Sequence, residues 1–407
     1  MPDTTPAALD IALLTHSVNP RGGVVHTLAL ADELHDRGHR VTVFVPATPG
    51  QAMFRATRCA LDLVPVDADP RSVVEMVASR RAAFVAHLSR RLQSQRFDVL
   101  HAQDAIGGNA LADLVERGEI DGFVRTVHHL DHFDEPQLMA WQQRAFEHAS
   151  HVLCVSQTWC DRLQAEHGVP ATRVGNGVDL ARYAREPDAG DAQVASRYGL
   201  RPGSPLFLAV GGVEARKNTV RMLQAFMRFR AAHPAAQLVV AGGASLLDHD
   251  RYALQFEAVL ATSGLGRVPG EAVVVTGPVR DADMPALYRL ADVVLMASLC
   301  EGFGLVVLEA LASGTPVVVS RRAPFTDYLP ADERVAHACW ADPESIESIA
   351  QAMARACDPA HRLSLAHATP AVCEHFSWRA SAASHETLYR THSARAPTRH
   401  PSAFARA

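Results

Sequence analysis

The chain has 407 residues, 48% of them hydrophobic and 20% charged, and its 44 acidic against 39 basic side chains leave a net charge of −5. That is the profile of a soluble globular protein with ample core. It offers no global electrostatic case for nucleic-acid binding, and no apolar run approaches the ~20 residues of a membrane-spanning helix. The length favours two domains or three. Residues Met1 to Asp10 show neither a basic region nor a long apolar one, so no secretory signal is expected there. Seven scattered cysteines without a Cys-x-x-Cys pair suggest ordinary thiols in a reducing cytoplasm.

Apolar strand-like runs alternate with helical stretches from end to end. In the first half the predicted strands are Asp10–Thr15, Arg40–Val45, Val99–His101, Val124–Val127 and Val152–Val155. In the second they are Leu206–Val210, Gln237–Ala241, Ala272–Thr276, Val293–Met296 and Pro316–Val319. Short continuous apolar strands separated by helices predict parallel sheets covered on both faces. The turn-rich stretch Arg182–Gly203 reads as the linker, giving an N-terminal domain over 1–190 and a second over 191–375. Two doubly wound domains joined there would open their ligand crevices at the carboxyl ends of their strands, facing a central cleft. The tail 392–407 reads as disordered.

Several segments carry chemistry. Asn19-Pro-Arg-Gly22-Gly23 follows the first strand and leads into a helix at about Val24. Arg71–Arg96 is a basic amphipathic stretch, and Arg80, Arg81, Arg90, Arg91 and Arg96 make it a candidate for weak peripheral contact with an anionic membrane. The run His128, His129, Asp131, His132 and Asp134 lacks a clear second ligand group, so no metal site is expected.

Lys217 is the only lysine; the other 38 formal cations are arginines. It lies in Gly211-Gly-Val-Glu-Ala-Arg216-Lys217, between an apolar strand and the helix starting at Thr219. Glycines admit a ligand close to the backbone, and a helix start supplies free N–H groups. With Arg216 and Lys217 added, the segment reads as a pyrophosphate seat. Further on, Cys300-Glu301-Gly302-Phe303-Gly304-Leu305 joins a strand to a helix that carries Glu309. Carboxylates beside glycines at a strand's carboxyl end can bind hydroxyl groups.

The spacing Glu301-x₇-Glu309 around Gly-Phe-Gly resembles the signature of retaining GT-B glycosyltransferases of family GT4. Asp281–Ser298, Asn176-Gly-Val-Asp179 and Gly211–Lys217 are similar to other segments of that family, and the match runs over nearly all of residues 10–391. The resemblance implies a fold of two Rossmann-like domains, with a C-terminal helix at 376–391 returning to the first. It implies a nucleotide diphosphate sugar (UDP-, GDP- or ADP-linked) as donor substrate, with no tightly bound cofactor. The acceptor would be a hydroxyl on a glycan, lipid or small molecule.

Carried over residue by residue, Glu309 would bind the ribose and Lys217 the diphosphate. Glu301 and the loop Gly302, Phe303, Gly304 and Leu305 would hold the donor sugar and its phosphate. Gly22 and Gly23 would face phosphate and acceptor, and His128 of Thr126-Val-His128 would contact the transferred sugar. Two positions depart from the pattern. Gly212 stands where many relatives have Arg, which makes Arg216 the candidate substitute, and Gln103 stands where a His-x-His motif usually ends. The same residues admit two other readings. One is an epimerase or phosphorylase-like transferase on this fold, and the other a catalytically silent nucleotide-sugar binding protein.

Overall fold

Two parallel sheets organise the computed structural model, which describes residues 7–67, 70–243, 250–329 and 338–393. The first sheet contains β1 (Asp10–Leu14), β2 (Arg40–Ala47), β3 (Ala60–Pro65), β4 (Val99–Ala102), β5 (Val124–Val127), β6 (His151–Cys154) and β7 (Ala171–Arg173), in the order β3-β2-β1-β4-β5-β6-β7. The second contains β8 (Leu206–Val210), β9 (Gln237–Ala241), β10 (Val273–Gly277), β11 (Val293–Met296), β12 (Val317–Ser320) and β13 (Cys339–Ala341), in the order β10-β9-β8-β11-β12-β13. Both are doubly wound, as the alternation of apolar runs with helices predicts. Each reverses its strand order once, between β1 and β4 and between β8 and β11.

Each sheet is buried on both faces. Ile11 and Leu13 of β1 pack with Leu28 and Leu34 of the helix Gly22–Asp36, while Ala12 and Leu14 face Phe84, Leu88 and Leu111. In the second unit Phe207, Leu238 and Leu295 pack with Phe226, Phe229 and Met353. This explains why inner strands such as β8 and β11 are uninterrupted apolar runs. The three strands that the pattern does not predict, β3, β7 and β13, all lie at sheet edges. β3 and β7 are largely exposed or half-buried, so their sequences mix polar and apolar residues.

The chain divides into two compact units. The first comprises 1–155, 159–175 and 379–407, and the second Ser156–Thr158 with Asn176–Trp378. The crossing therefore falls at Gly175/Asn176 instead of the expected 190/191. Charges that read as a solvated linker are paired within the second unit: Arg182 with Asp281 at 2.8 Å, Arg197 with Asp283 at 2.8 Å, and Arg289 with Asp191 at 2.5 Å. The stretch holds its own helix, Asp191–Tyr198.

The C-terminal helix Trp378–Ser393 belongs to the first unit from Arg379 onward. Its Ser381 hydroxyl donates to the Gly175 carbonyl (2.6 Å), and the Tyr389 hydroxyl meets His101 Nδ1 (2.6 Å). The tail expected to be disordered lies, apart from the helix end at 392–393, outside the described residues.

Gly177, in the Asn-Gly-Val-Asp segment, lies against backbone. A Cβ there would stand 2.2 Å from the Trp378 nitrogen, while Val178 N–H donates to the Phe376 carbonyl at 3.0 Å. Backbone cannot rotate aside as a side chain can. Gly177→Ala is therefore expected to destabilise the protein by about 1–3 kcal/mol, read as a lower urea midpoint.

Candidate functional site

Ligands of open parallel sheets bind beyond the carboxyl ends of the strands, where the strand order reverses. In the second sheet that point lies between β8 and β11. Gly211 follows the one, and the segment leading to Glu301 follows the other. The Gly211–Asn218 turn docks there through its backbone, with Leu299 N–H donating to the Arg216 carbonyl at 2.8 Å.

Lys217 Nζ lies 2.7 Å from Glu301 Oε1, and both residues are only 8% exposed. Arg216 reaches Glu214 at 2.8 Å and Glu301 at 3.7 Å. Burial alone would raise the Glu301 pKa, yet Lys217 and Arg216 outweigh it and hold the carboxyl below its ordinary 4.5. The result is a preformed cluster of two cations on two buried carboxylates, Glu301 and Glu214, with the Arg216 side chain still 30% exposed.

Close approach explains both glycines of the turn. A Cβ on Gly211 (φ 126°) would come within 2.7 Å of Lys217 Cε, and one on Gly212 (φ 77°) within 2.8 Å of the Gly243 carbonyl oxygen. Gly212 thus sits in left-handed backbone against another strand's loop. Arg216, by contrast, pairs most closely with Glu214 at 2.8 Å and stands 3.7 Å from Glu301. Asn218 (φ 63°) closes the turn, its amide donating to the Ala297 and Pro343 carbonyls at 2.9 and 2.7 Å. Asparagine tolerates that conformation better than most residues. The sequence reading did not single it out.

Beyond β11, Gly304 (φ 89°) precedes the helix Leu305–Ala312, and a Cβ on it would strike Phe325 at 2.5 Å. Phe303 is buried and stacks on Tyr328, ring centres 4.6 Å apart, so its side chain supports the loop. Glu309, half-buried on that helix, accepts a hydrogen bond of 2.6 Å from the buried Tyr288 hydroxyl. Tyr288 is another residue that sequence reasoning missed, because an apolar-patterned helix gives no sign that one aromatic ends in a polar contact.

In the first unit, the helix starts at Gly22, two residues earlier than expected, so Gly22 and Gly23 form its first turn. Gly22 has open space around it, whereas a Cβ on Gly23 would lie 3.2 Å from the His128 ring. His128 follows β5, with His26 edge-on at 4.8 Å. Burial foremost, with His26 and Arg125 adding to it, holds the imidazole neutral well below its ordinary pKa of 6.5. Its Nε2 lies 3.0 Å from Gln103 Oε1. An amide oxygen only accepts, so the proton sits on Nε2. The residue that departs from His-x-His therefore orients His128. His101 is fully buried between Tyr389 and Thr126, a packing role.

The basic helix Val73–Leu92 turns Phe84 and Leu88 inward, and several of its arginines are also engaged within the unit. Arg80 donates to the His16 carbonyl, Arg81 pairs with Asp113, and Arg91 bonds Gln95. No helix among the described residues is long and apolar enough to cross a membrane.

Comparison with known proteins bears on these constellations. Residues 20–182 match the model for Glycosyltransferase Family 4, and residues 193–365 match Glycosyl transferases group 1. The chain is 26% identical to a D-inositol 3-phosphate glycosyltransferase of Pseudarthrobacter chlorophenolicus, covering 89% of this chain and 88% of that one. It is 25% identical to an alpha-monoglucosyldiacylglycerol synthase of Streptococcus pneumoniae, over 79% and 73% of the two chains. Among solved structures, a sucrose-phosphate synthase from Thermosynechococcus elongatus superposes with a TM-score of 0.76 at 20% identity, over 94% of this chain and 99% of that one. HepE of Anabaena in complex with UDP-glucose gives 0.73 at 17% identity, over 94% and 100%.

The Lys217–Glu301 pair makes a stability prediction. Replacing Lys217 by Met leaves a buried carboxylate with Arg216 alone and is expected to cost about 3 kcal/mol, while Lys217→Met with Glu301→Gln together should recover much of that. Because the folded Glu301 pKa is lowered, its contribution is present above the ordinary value of 4.5 and is lost as pH falls through the lower, folded value. Urea unfolding across that acid range should show this loss in the wild type and not in the double variant.

Proposed function

We propose that this chain, which belongs to the family 4 and group 1 glycosyltransferases of the GT-B fold and passes a sugar from a nucleotide-sugar donor to an acceptor, transfers a hexose with retention at the anomeric carbon. The observation that carries the reading is the buried cluster of Lys217, Arg216 and Glu301 at the β8/β11 reversal. It combines positive charge for a diphosphate with a carboxylate for sugar hydroxyls.

In this reading the second domain takes the donor. Lys217 and Arg216 face the diphosphate, and the N-terminus of the helix Leu305–Ala312 adds backbone donors through the Gly302–Gly304 loop. Glu301 accepts hydrogen bonds from the sugar, and Glu309, oriented by Tyr288, binds the ribose. The first domain takes the acceptor, with Gly22 leaving room at a helix start and Gly23 leaving room for the His128 ring. Neutral His128, its Nε2–H committed to Gln103, presents the Nδ1 lone pair to a hydroxyl of the sugar.

Chemistry then proceeds on one face of the sugar. The bond from the anomeric carbon to the phosphate oxygen breaks, and the nucleoside diphosphate leaves with the electron pair. The acceptor oxygen bonds to the oxocarbenium-like carbon from the same side and passes its proton to the departing phosphate. Preorganised cations stabilise the charge that develops on the leaving group. The HepE complex with UDP-glucose makes a UDP-hexose the first donor to test.

Thermal-shift screening against UDP-, GDP- and ADP-sugars identifies the donor, since a ligand that binds the native state raises its melting temperature. With that donor, Lys217→Ala is expected to lower kcat by about 100- to 1000-fold, and Lys217→Arg to lose much of the activity too. Near-normal turnover in Lys217→Ala would contradict the diphosphate assignment. Tyr288→Phe should raise KM for the donor several-fold with a smaller change in kcat. NMR of the product's anomeric proton decides between retention and inversion.

A further inference from the structure

Behind His128 lies a run of side chains that begins on the C-terminal helix. The Tyr389 hydroxyl stands 2.6 Å from His101 Nδ1, and the Thr126 hydroxyl 2.8 Å from His101 Nε2. Gln103 Nε2 lies 3.3 Å from both nitrogens of that ring, while Gln103 Oε1 lies 3.0 Å from His128 Nε2. Tyr389, His101, Thr126 and Gln103 are all buried. His101 is packed in the core, and its ring is the platform on which Gln103 rests.

These distances decide what each contact can be. Burial foremost, with His385, His26 and Arg125 adding to it, holds the His101 pKa well below its ordinary 6.5, so the ring is neutral. A neutral imidazole has one N–H and one lone pair. One of the two hydroxyls therefore donates and the other accepts, and both nitrogens are taken in the ring plane. The Gln103 amide nitrogen is equally close to both. In the ring plane, such a point would overlap Cε1, the atom between them, so the amide lies over the ring's face. That face is electron-rich; it attracts an N–H and repels an amide oxygen. The NH2 end is thus held on His101, and Oε1 is left to accept from His128 Nε2–H.

We propose that Tyr389 and His101 are positioning residues for the transfer reaction: the C-terminal helix, through the tethered His101 ring and the Gln103 amide, selects the Nε2–H tautomer of His128. The proposal rests on the reading that His128 presents its Nδ1 lone pair to the sugar. Without the Tyr389 hydroxyl, one nitrogen of His101 is released. When the ring carries its proton there, that N–H needs an acceptor, and the Gln103 amide stands beside it. The amide turns over, its NH2 faces His128, and His128 exchanges its Nε2 proton for one on Nδ1. No lone pair then remains for the sugar hydroxyl.

The test reads the tautomer by NMR of ¹⁵N-histidine-labelled protein, with the His128 signals assigned by their loss in His128→Ala. The wild type should show Nε2–H at His128. Tyr389→Phe should show a mixture with Nδ1–H, and kcat/KM for the donor should fall by about three- to tenfold. His101→Phe combined with Tyr389→Phe keeps an aromatic face under the amide and has no ring N–H to compete for it. That double variant should return His128 to Nε2–H, whereas a loss of packing alone would leave it worse than Tyr389→Phe.

An Nδ1–H tautomer in the wild type would overturn the proposal. So would a folded Tyr389→Phe whose His128 tautomer matches the wild type, or a double variant that shows no return. Should Tyr389→Phe not fold, Thr126→Val releases the other ring nitrogen and is read in the same way. If His128→Ala abolishes turnover while the tautomer ignores Tyr389, only this inference fails. If His128→Ala turns over normally while the tautomer responds, the sugar contact of His128 is what fails.

Discussion

A lysine and a glutamate share one buried contact of 2.7 Å, and the second domain is arranged around it. Lys217 needs Gly211 beside it, since any side chain there would occupy the space of its methylenes. Its turn needs the left-handed Asn218, whose amide is tied to Ala297 and Pro343. Glu301 needs the apolar floor of β11 and the Phe303–Tyr328 stack that carries the loop beyond it. A buried ion pair of this kind adds little net stability, because desolvation offsets most of the attraction. What it provides is position. Both charges are held at one point before any ligand arrives, so in the proposed reaction little reorganisation would remain when negative charge develops on the leaving group.

The first domain uses histidine and arginine where the second uses lysine and glutamate. His128 is kept neutral by burial and by its neighbours, and Gln103 decides which nitrogen carries the proton. Gly23 gives the ring its place. On the other face of β5, buried Arg125 has the attraction of Asp104 to offset its desolvation. The two domains therefore prepare different chemistry at equivalent points of equivalent folds. One gathers two cations on two buried carboxylates, and the other buries a neutral imidazole near a guanidinium that faces Asp104.

Much of this was legible in the residues, for identifiable reasons. Inner strands such as β8 and β11 are buried on both faces and therefore read as uninterrupted apolar runs. Lys217 stood out because the chain has only one lysine, and Glu301 and Glu309 because their spacing flanks two glycines. The edge strands were hidden: β3 and β7 are largely exposed and mixed in sequence, and β13 is only three residues long. The boundary was displaced because Arg182, Asp191 and Arg197 look solvated in sequence, and only their partners, nearly a hundred positions along, show otherwise. Tyr288, Asn218, Gln103 and Arg125 take their meaning from three-dimensional neighbours alone. Gln103 illustrates this well, since in the sequence it is only a departure from a His-x-His pattern, and the structure gives it a hydrogen bond to His128.

The single lysine also supplies the most direct measurement. Protein labelled with ¹⁵N at the lysine Nζ yields one ammonium resonance, that of Lys217. Titration with the nucleoside diphosphate of the preferred donor should shift and sharpen that resonance in step with nucleotide binding, as the ammonium exchanges part of its contact with Glu301 for a phosphate oxygen. If the resonance stays unchanged while the nucleotide saturates the protein, Lys217 is not the diphosphate ligand and the account is wrong at its centre.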